Sequence, residues 1–135
     1  MYGANPATDI LRDLYQSLVP RQLRKALGES LTPQWLAEAC LARLSSTPGA
    51  RLSGRVLDPT CGTGTFLVPL LRERLRRLRT DRAGAITAEE VQSVLNSVVG
   101  IDVNPVAVTA ARVNMVLALG ELTSYGTLSL PIWRA

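Results

Sequence analysis

The sequence predicts an α/β protein built on a parallel sheet, and three observations predict it. A short apolar run, Val56-Leu57, ends in Asp58 and is followed by a turn with two glycines, Gly62 and Gly64. A second apolar run ends in Asp102. Between and after the two runs, leucines and valines recur at helical spacing. Strand, acid, glycine turn and helix make the first half of a nucleotide-binding βαβ unit. Glycine lets the backbone approach a ligand closely where a side chain would block it.

The elements follow in order. Thr8 to Val19 carries Ile10, Leu11, Leu14 and Leu18 at helical spacing, and Pro20 breaks it. Arg21 to Leu27 is a second short turn of helix, ending at Gly28. Thr32-Pro33 reads as an N-cap and first turn, opening a helix to about Leu44 with Leu36, Cys40 and Leu44 on one stripe. Ser45 to Ser53 is a polar loop that turns at Pro48-Gly49.

The first strand, Val56-Leu57, is expected to be buried. After it, Gly64 to Arg79 is an amphipathic helix with Leu67, Leu71, Leu75 and Leu78 inward. Arg72, Arg76 and Arg79 lie opposite and read as a solvated face rather than a DNA contact. Arg82 to Ala85 is a linker. Thr87 to Leu95 is a helix capped by Thr87, with Glu90 at the capping-box position. Ser97 to Ile101 is the second strand. Asn104 and Pro105 cap and open a helix to Leu119, closed by Gly120, with Val106, Thr109, Ala110, Val113 and Leu117 toward the sheet. Glu121 to Ser129 is polar loop, and Leu130 to Arg134 begins a third strand.

Composition narrows the chemistry. The 135 residues suffice for one modest domain with a core of Leu, Val and Ala, since aromatics are only 4%. There is no His, which removes His bases, Ser-His-Asp triads and His metal sites. Cys40 and Cys61 have neither metal nor disulfide spacing. The net charge of +4, carried mostly by Arg, is compatible with a nucleic-acid partner. The N-terminus has no apolar leader and no run is expected to span a membrane, so a reducing, cytoplasmic setting is the default.

The turn excludes two common ligand classes. In a dinucleotide fingerprint the third glycine would stand where Leu67 is, and the acid would follow rather than precede the glycines. No Gly-Lys-Ser/Thr follows, as a phosphate-binding loop would need. A carboxylate at the strand end suits a cationic group, such as the amino group of a methionine moiety, and would repel a pyrophosphate. Asp102, at the end of the second strand, can accept both hydroxyls of a ribose.

These stretches carry a family resemblance. D-P-T-C-G-T-G-T-F from Asp58 and G-I-D-V-N-P from Gly100 resemble motifs I and II of S-adenosylmethionine-dependent methyltransferases, above all the N6-adenine DNA methyltransferases of restriction and phage-defence systems. Gly28-Glu29-Ser30-Leu31-Thr32-Pro33 resembles that family's motif X, with Leu31 where an aromatic is usual. The resemblance covers roughly Tyr15 to Asn114. It implies a Rossmann-like class I methyltransferase fold, truncated to its first two or three parallel strands. Residues 1–47 would be an N-terminal helical extension, and 48–135 the first part of the cofactor-binding domain. It further implies S-adenosylmethionine as cofactor, with Thr32, Asp58, Pro59, Thr60, Cys61, Gly62, Gly64, Thr65, Phe66, Asp102, Val103 and Asn104 around it. Thr32 would contact the methionine carboxylate and Val103 the adenine ring.

The family's catalytic signature, Asn or Asp-Pro-Pro-aromatic, grips a flipped adenine, and this sequence has no Pro-Pro pair. The expectation is therefore the cofactor half of a larger adenine-N6 DNA methyltransferase, inactive by itself. It would meet DNA through the full-length enzyme, dock with the remaining C-terminal part or subunit, and self-associate through an exposed strand edge. The alternatives are the corresponding part of an RNA or protein-glutamine methyltransferase, or a non-catalytic binding or assembly subunit.

Overall fold

The computed structural model describes residues 14, 16–26, 32–47, 54–81 and 85–135. The expected helix start at Thr8, the Gly28–Leu31 part of motif X, the Pro48-Gly49 turn and most of the Arg82–Ala85 linker lie outside them. The described elements are α1 (Arg21–Ala26), α2 (Gln34–Ser46), β1 (Val56–Asp58), α3 (Leu67–Thr80), α4 (Ala88–Asn96), β2 (Val98–Asp102), α5 (Pro105–Leu119), a 3-10 helix (Gly120–Tyr125) and β3 (Ile132–Arg134).

The three strands are parallel in the order β1-β2-β3. Both crossovers step in the same direction, so right-handed connections place their helices on one face. Strand parity identifies that face. Val98, Gly100 and Ile132 are buried, in register, and belong to a core with Leu67, Leu71 and Leu75 of α3, Val91 and Leu95 of α4, and Val108, Ala111 and Met115 of α5. The opposite face carries Leu57 against Val99 and Ile101 against Trp133. Leu57 is 56% and Trp133 55% exposed. The expectation of a buried first strand therefore fails at Leu57: no described helix lies over that face, and among the described strands β1 has a neighbour on one side only.

Caps set most helix boundaries. Thr87 and Glu90 form the capping box of α4, and Asn104 Oδ1 accepts the Val106 amide at the start of α5. Gly120 closes α5 with φ 57°. The helix after the glycine turn begins at Leu67 rather than Gly64, because residues 62–66 are spent in consecutive turns. The second strand runs one residue further than expected, so Asp102 is its last residue.

Expectations about two helix faces, a cap and a loop are corrected. In α2, Ala37 and Leu41 are buried, while Leu36, Cys40 and Leu44 are exposed, and Pro33 rather than Thr32 stands at the cap with no side-chain bond. In α5, Ala107, Val108, Ala111, Asn114, Met115 and Leu119 are buried; Val106, Thr109, Val113 and Leu117 are exposed and Ala110 is half-buried. Almost every position of α5 is apolar, so its pattern did not say which stripe would meet the sheet. The loop after Gly120 begins as a 3-10 helix with Leu122 buried.

The stretch Pro105–Ser124 is long and apolar enough by composition to cross a membrane, with mean hydropathy 1.3, which corrects the expectation that no run is. Here its helix ends at Leu119 and lies on the sheet, with Arg112 donating two bonds, 2.7 and 3.1 Å, to the Ile132 carbonyl.

At the other end of the sheet, Arg74 ties the strand entries together. It donates to the Gly54 carbonyl at 2.6 Å, to the Ser97 carbonyl at 3.0 Å and to the Ser97 hydroxyl. Gln92 and Ser129 exchange two bonds that fix the approach to β3.

Candidate cofactor site

The candidate site forms where β1 and β2 end. Asp58 pairs in register with Gly100, two residues before Asp102, so parity puts both carboxylates on the helix-covered face. The chain leaving β1 is bound to the chain leaving β2. Cys61 N–H donates to the Ile101 carbonyl at 2.9 Å, and Gly62 N–H donates to Asp102 Oδ2 at 2.8 Å. Asp102 Oδ1 accepts the Asn104 amide at 2.8 Å. Asp58 Oδ1 accepts the Thr60 amide at 3.1 Å, closing the turn over Pro59. Sequence reasoning assigned these residues to two separate motifs; the hydrogen bonds make them one structure.

The turn itself needs glycine. Gly62 has φ 53° and Gly64 φ 89°, left-handed values that side chains rarely adopt. At Gly64 a Cβ would also meet Val68 Cγ2 at 3.2 Å and Ala111 Cβ at 3.6 Å. Gly64 N–H donates to the Cys61 carbonyl at 2.8 Å, and its own carbonyl accepts the Val68 amide, which joins the turn to α3.

The site is acidic and half-covered. Burial, partly offset by the Thr60 hydrogen bond and reinforced by the charge of Asp102, holds the Asp58 carboxyl above its usual range. Burial first, then Asp102 and Asp58, push the Cys61 thiol up to about 12, so Cys61 is an inert wall rather than a nucleophile. A half-buried carboxylate held up by desolvation, with a second carboxylate beside it, is suited to a cation. Thr65 and Phe66 are half-buried, Phe66 packing on the core, and Val103 is 70% exposed beside Asp102. Thr32 lies half-buried ahead of α2. Among the described residues no hydrogen bond ties it to Asp58 or Asp102.

Sequence reasoning missed Thr63 and Asn114. Both are 3% exposed, and Asn114 Nδ2 donates to the Thr63 carbonyl at 2.9 Å. A lone amide side chain amid the apolar residues of α5 was the available signal. The expected solvated face of α3 is borne out in part. Glu73 accepts Arg76 and Arg77 at 2.8 Å, which holds its carboxyl down at about 2, while Arg72 is half-buried.

Comparison with known proteins adds a family. The family model described as N-6 DNA Methylase matches residues 6–125. The adenine-specific methyltransferase PglX of Streptomyces coelicolor is 34% identical over 125 residues, which is 90% of this chain and 10% of that protein. A putative type II restriction enzyme and methyltransferase of Methanocaldococcus jannaschii is 35% identical over 74 residues, which is 50% of this chain and 6% of that protein. The chain thus spans a tenth or less of the length of these relatives. No solved structure matches it.

Proposed function

Because the chain belongs to the N-6 DNA methylase family, we propose that it forms the S-adenosylmethionine-binding part of an enzyme that methylates N6 of adenine in DNA. The carrying observation is the junction of the two motifs: the glycine turn after β1 hangs on the Asp102 carboxylate at the end of β2. On this reading the three strands are the first three of a Rossmann-like class I methyltransferase sheet, and residues 1–47 are an extension beside it.

The residues present fit the cofactor. Asp58, half-buried and beside a second carboxylate, would take the amino group of the methionine moiety, and the cationic ligand would offset the cost of keeping it ionised. Asp102 uses each carboxylate oxygen once, for Gly62 and for Asn104. Each oxygen keeps capacity for a further donor, which the ribose hydroxyls would supply. The exposed Val103 side chain would lie against the adenine ring, where its burial is favourable. Pro59, Thr60, Cys61, Thr65 and Phe66 would shape the wall beside the two glycines, Asn104 would hold Asp102 in place, and Thr32 would approach the carboxylate. When bound, the cofactor supplies an activated methyl group. The chain's own residues orient it and hold its charged end.

The 135 residues contain no Asn-Pro-Pro-Tyr or equivalent, so gripping the target adenine falls to groups outside this sequence. DNA, and further parts of the enzyme or a partner subunit, are the partners this reading requires. Calorimetric titration of the chain with S-adenosylmethionine and, separately, with NAD tests it. Saturable binding of the first and none of the second is expected. Binding of NAD alone would refute the reading.

A further inference from the structure

We infer that Asn114 is the positioning residue of the glycine turn: its side-chain amide locks the Thr63–Gly64 peptide in the orientation that S-adenosylmethionine requires. The inference rests on the cofactor reading above and extends it to a residue of the following helix.

Asn114 sits where a core side chain belongs. It is 3% exposed, on the buried stripe of α5 with Ala111 and Met115, both fully buried. A leucine would fill such a position without desolvating an amide, and a buried amide is unfavourable unless its groups are bonded. Its Nδ2 is bonded, to the Thr63 carbonyl at 2.9 Å, while its Oδ1 is buried with no hydrogen-bond partner among the described residues. A side chain held at that disadvantage has work to do at the bonded end.

The bonded end is a peptide that needs holding. Thr63 stands between Gly62 at φ 53° and Gly64 at φ 89°. The Thr63–Gly64 peptide turns about ψ of Thr63 and φ of Gly64, and glycine has comparable access to both signs of φ, so its Gly64 side resists rotation little. A trans peptide points its carbonyl and its following N–H in opposite directions. Here the Gly64 N–H is held by the Cys61 carbonyl at 2.8 Å, and the Thr63 carbonyl is held on the other side by Asn114. The peptide plane is pinned at both ends. The two pins have different origins. The first belongs to the turn itself, whereas the second comes from α5, which starts three residues after Asp102. The helix whose preceding strand supplies the Asp102 carboxylate therefore also fixes the loop facing it.

The test uses the 135-residue chain and Asn114→Leu, a replacement that fits the apolar stripe and removes the unpartnered oxygen. Its thermal transition is expected to stay within a few degrees of the parent or to rise. Its Kd for S-adenosylmethionine, by calorimetry, is expected to weaken about tenfold, the scale of one hydrogen bond lost from the bound arrangement. Hydrogen exchange at the Gly64 amide should accelerate while the amides of β2 keep their protection. If Asn114→Leu does not fold, Asn114→Ser, too short to reach the Thr63 carbonyl, is judged by the same readings. An affinity within twofold of the parent, with Asp102→Ala losing affinity in parallel, would overturn the inference and leave the cofactor reading intact. If the parent itself binds no S-adenosylmethionine, the cofactor reading fails. The exchange rate at Gly64 then decides alone: acceleration supports the lock and an unchanged rate removes it.

Discussion

The amide of Gly62 donates to the carboxylate of Asp102 at 2.8 Å, across 40 residues of sequence. This bond joins the turn after the first strand to the end of the second. It makes Asp102 a structural residue as well as the proposed ribose acceptor, because Asn104 hangs on the same carboxylate. Several consequences can be measured.

Arg74 marks the opposite end of the sheet and separates stability from binding. Its bonds are charge-assisted, the one to the Ser97 carbonyl half-buried and the one to Gly54 exposed. Arg74→Met should destabilise the chain by about 1.5–3 kcal/mol, the scale of the one half-buried charge-assisted bond lost, the exposed one adding little. Denaturant unfolding measures this. The affinity of the folded fraction for S-adenosylmethionine should not change, since Arg74 lies where the strands begin rather than where they end.

Asp58 should make the free chain's stability depend on pH. Its carboxyl is held above the ordinary value of 3.8, chiefly by burial. A raised folded pKa means that the folded state binds the proton more readily than the unfolded state. Stability from this group is therefore present at low pH and lost as pH rises through the folded value. Asp58→Asn keeps the acceptor for Thr60 and removes the charge. It should raise Tm at neutral pH, and the difference should close below pH 3.8, where the aspartate is protonated in both states. The same variant should bind S-adenosylmethionine more weakly. Calorimetric scans across pH, with and without ligand, give both readings.

The uncovered sheet face and the β1 edge should drive association. Leu57 and Trp133 are both more than half exposed, on the face away from the helices. Exposed strand edges and apolar faces recruit other chains. Light scattering at micromolar concentration should show a species larger than the monomer, and Leu57→Lys should reduce it. A clean monomer of the parent chain would contradict this.

Purified alone, the chain should transfer no methyl group to DNA, because it has no motif to hold an extruded adenine and positioning is what the reaction needs. Incorporation of labelled methyl into adenine by the 135-residue chain would refute this.

Much of the site was legible because its chemistry is local. Glycines at Gly62 and Gly64, an acid at each strand end, and the Thr87-Glu90 and Asn104-Pro105 caps are written in adjacent residues. Helix faces were not. The burial of Ala37 and Leu41 in α2, rather than Leu36, Cys40 and Leu44, is decided by what the helix meets. α5 is apolar nearly all round, so only packing on the sheet distinguishes Val108 and Met115 from Val106 and Leu117. The exposure of Leu57 follows from topology, since two crossovers on one face leave the other uncovered among the described residues. Asn114 and Thr63 lie 51 residues apart, and their bond appears only when α5 crosses the turn.

The most direct measurement is the affinity of the chain for S-adenosylmethionine with Asp102 intact and with Asp102→Ala, each normalised to the folded fraction. The variant loses an acceptor for the ribose and the anchor of Gly62. Charge-assisted bonds of this kind are worth about 1.5–3 kcal/mol each, so the Kd should rise at least about tenfold. Tm should fall as well. A folded Asp102→Ala chain that binds S-adenosylmethionine with an unchanged Kd would contradict the claim that the two strand ends form one cofactor site.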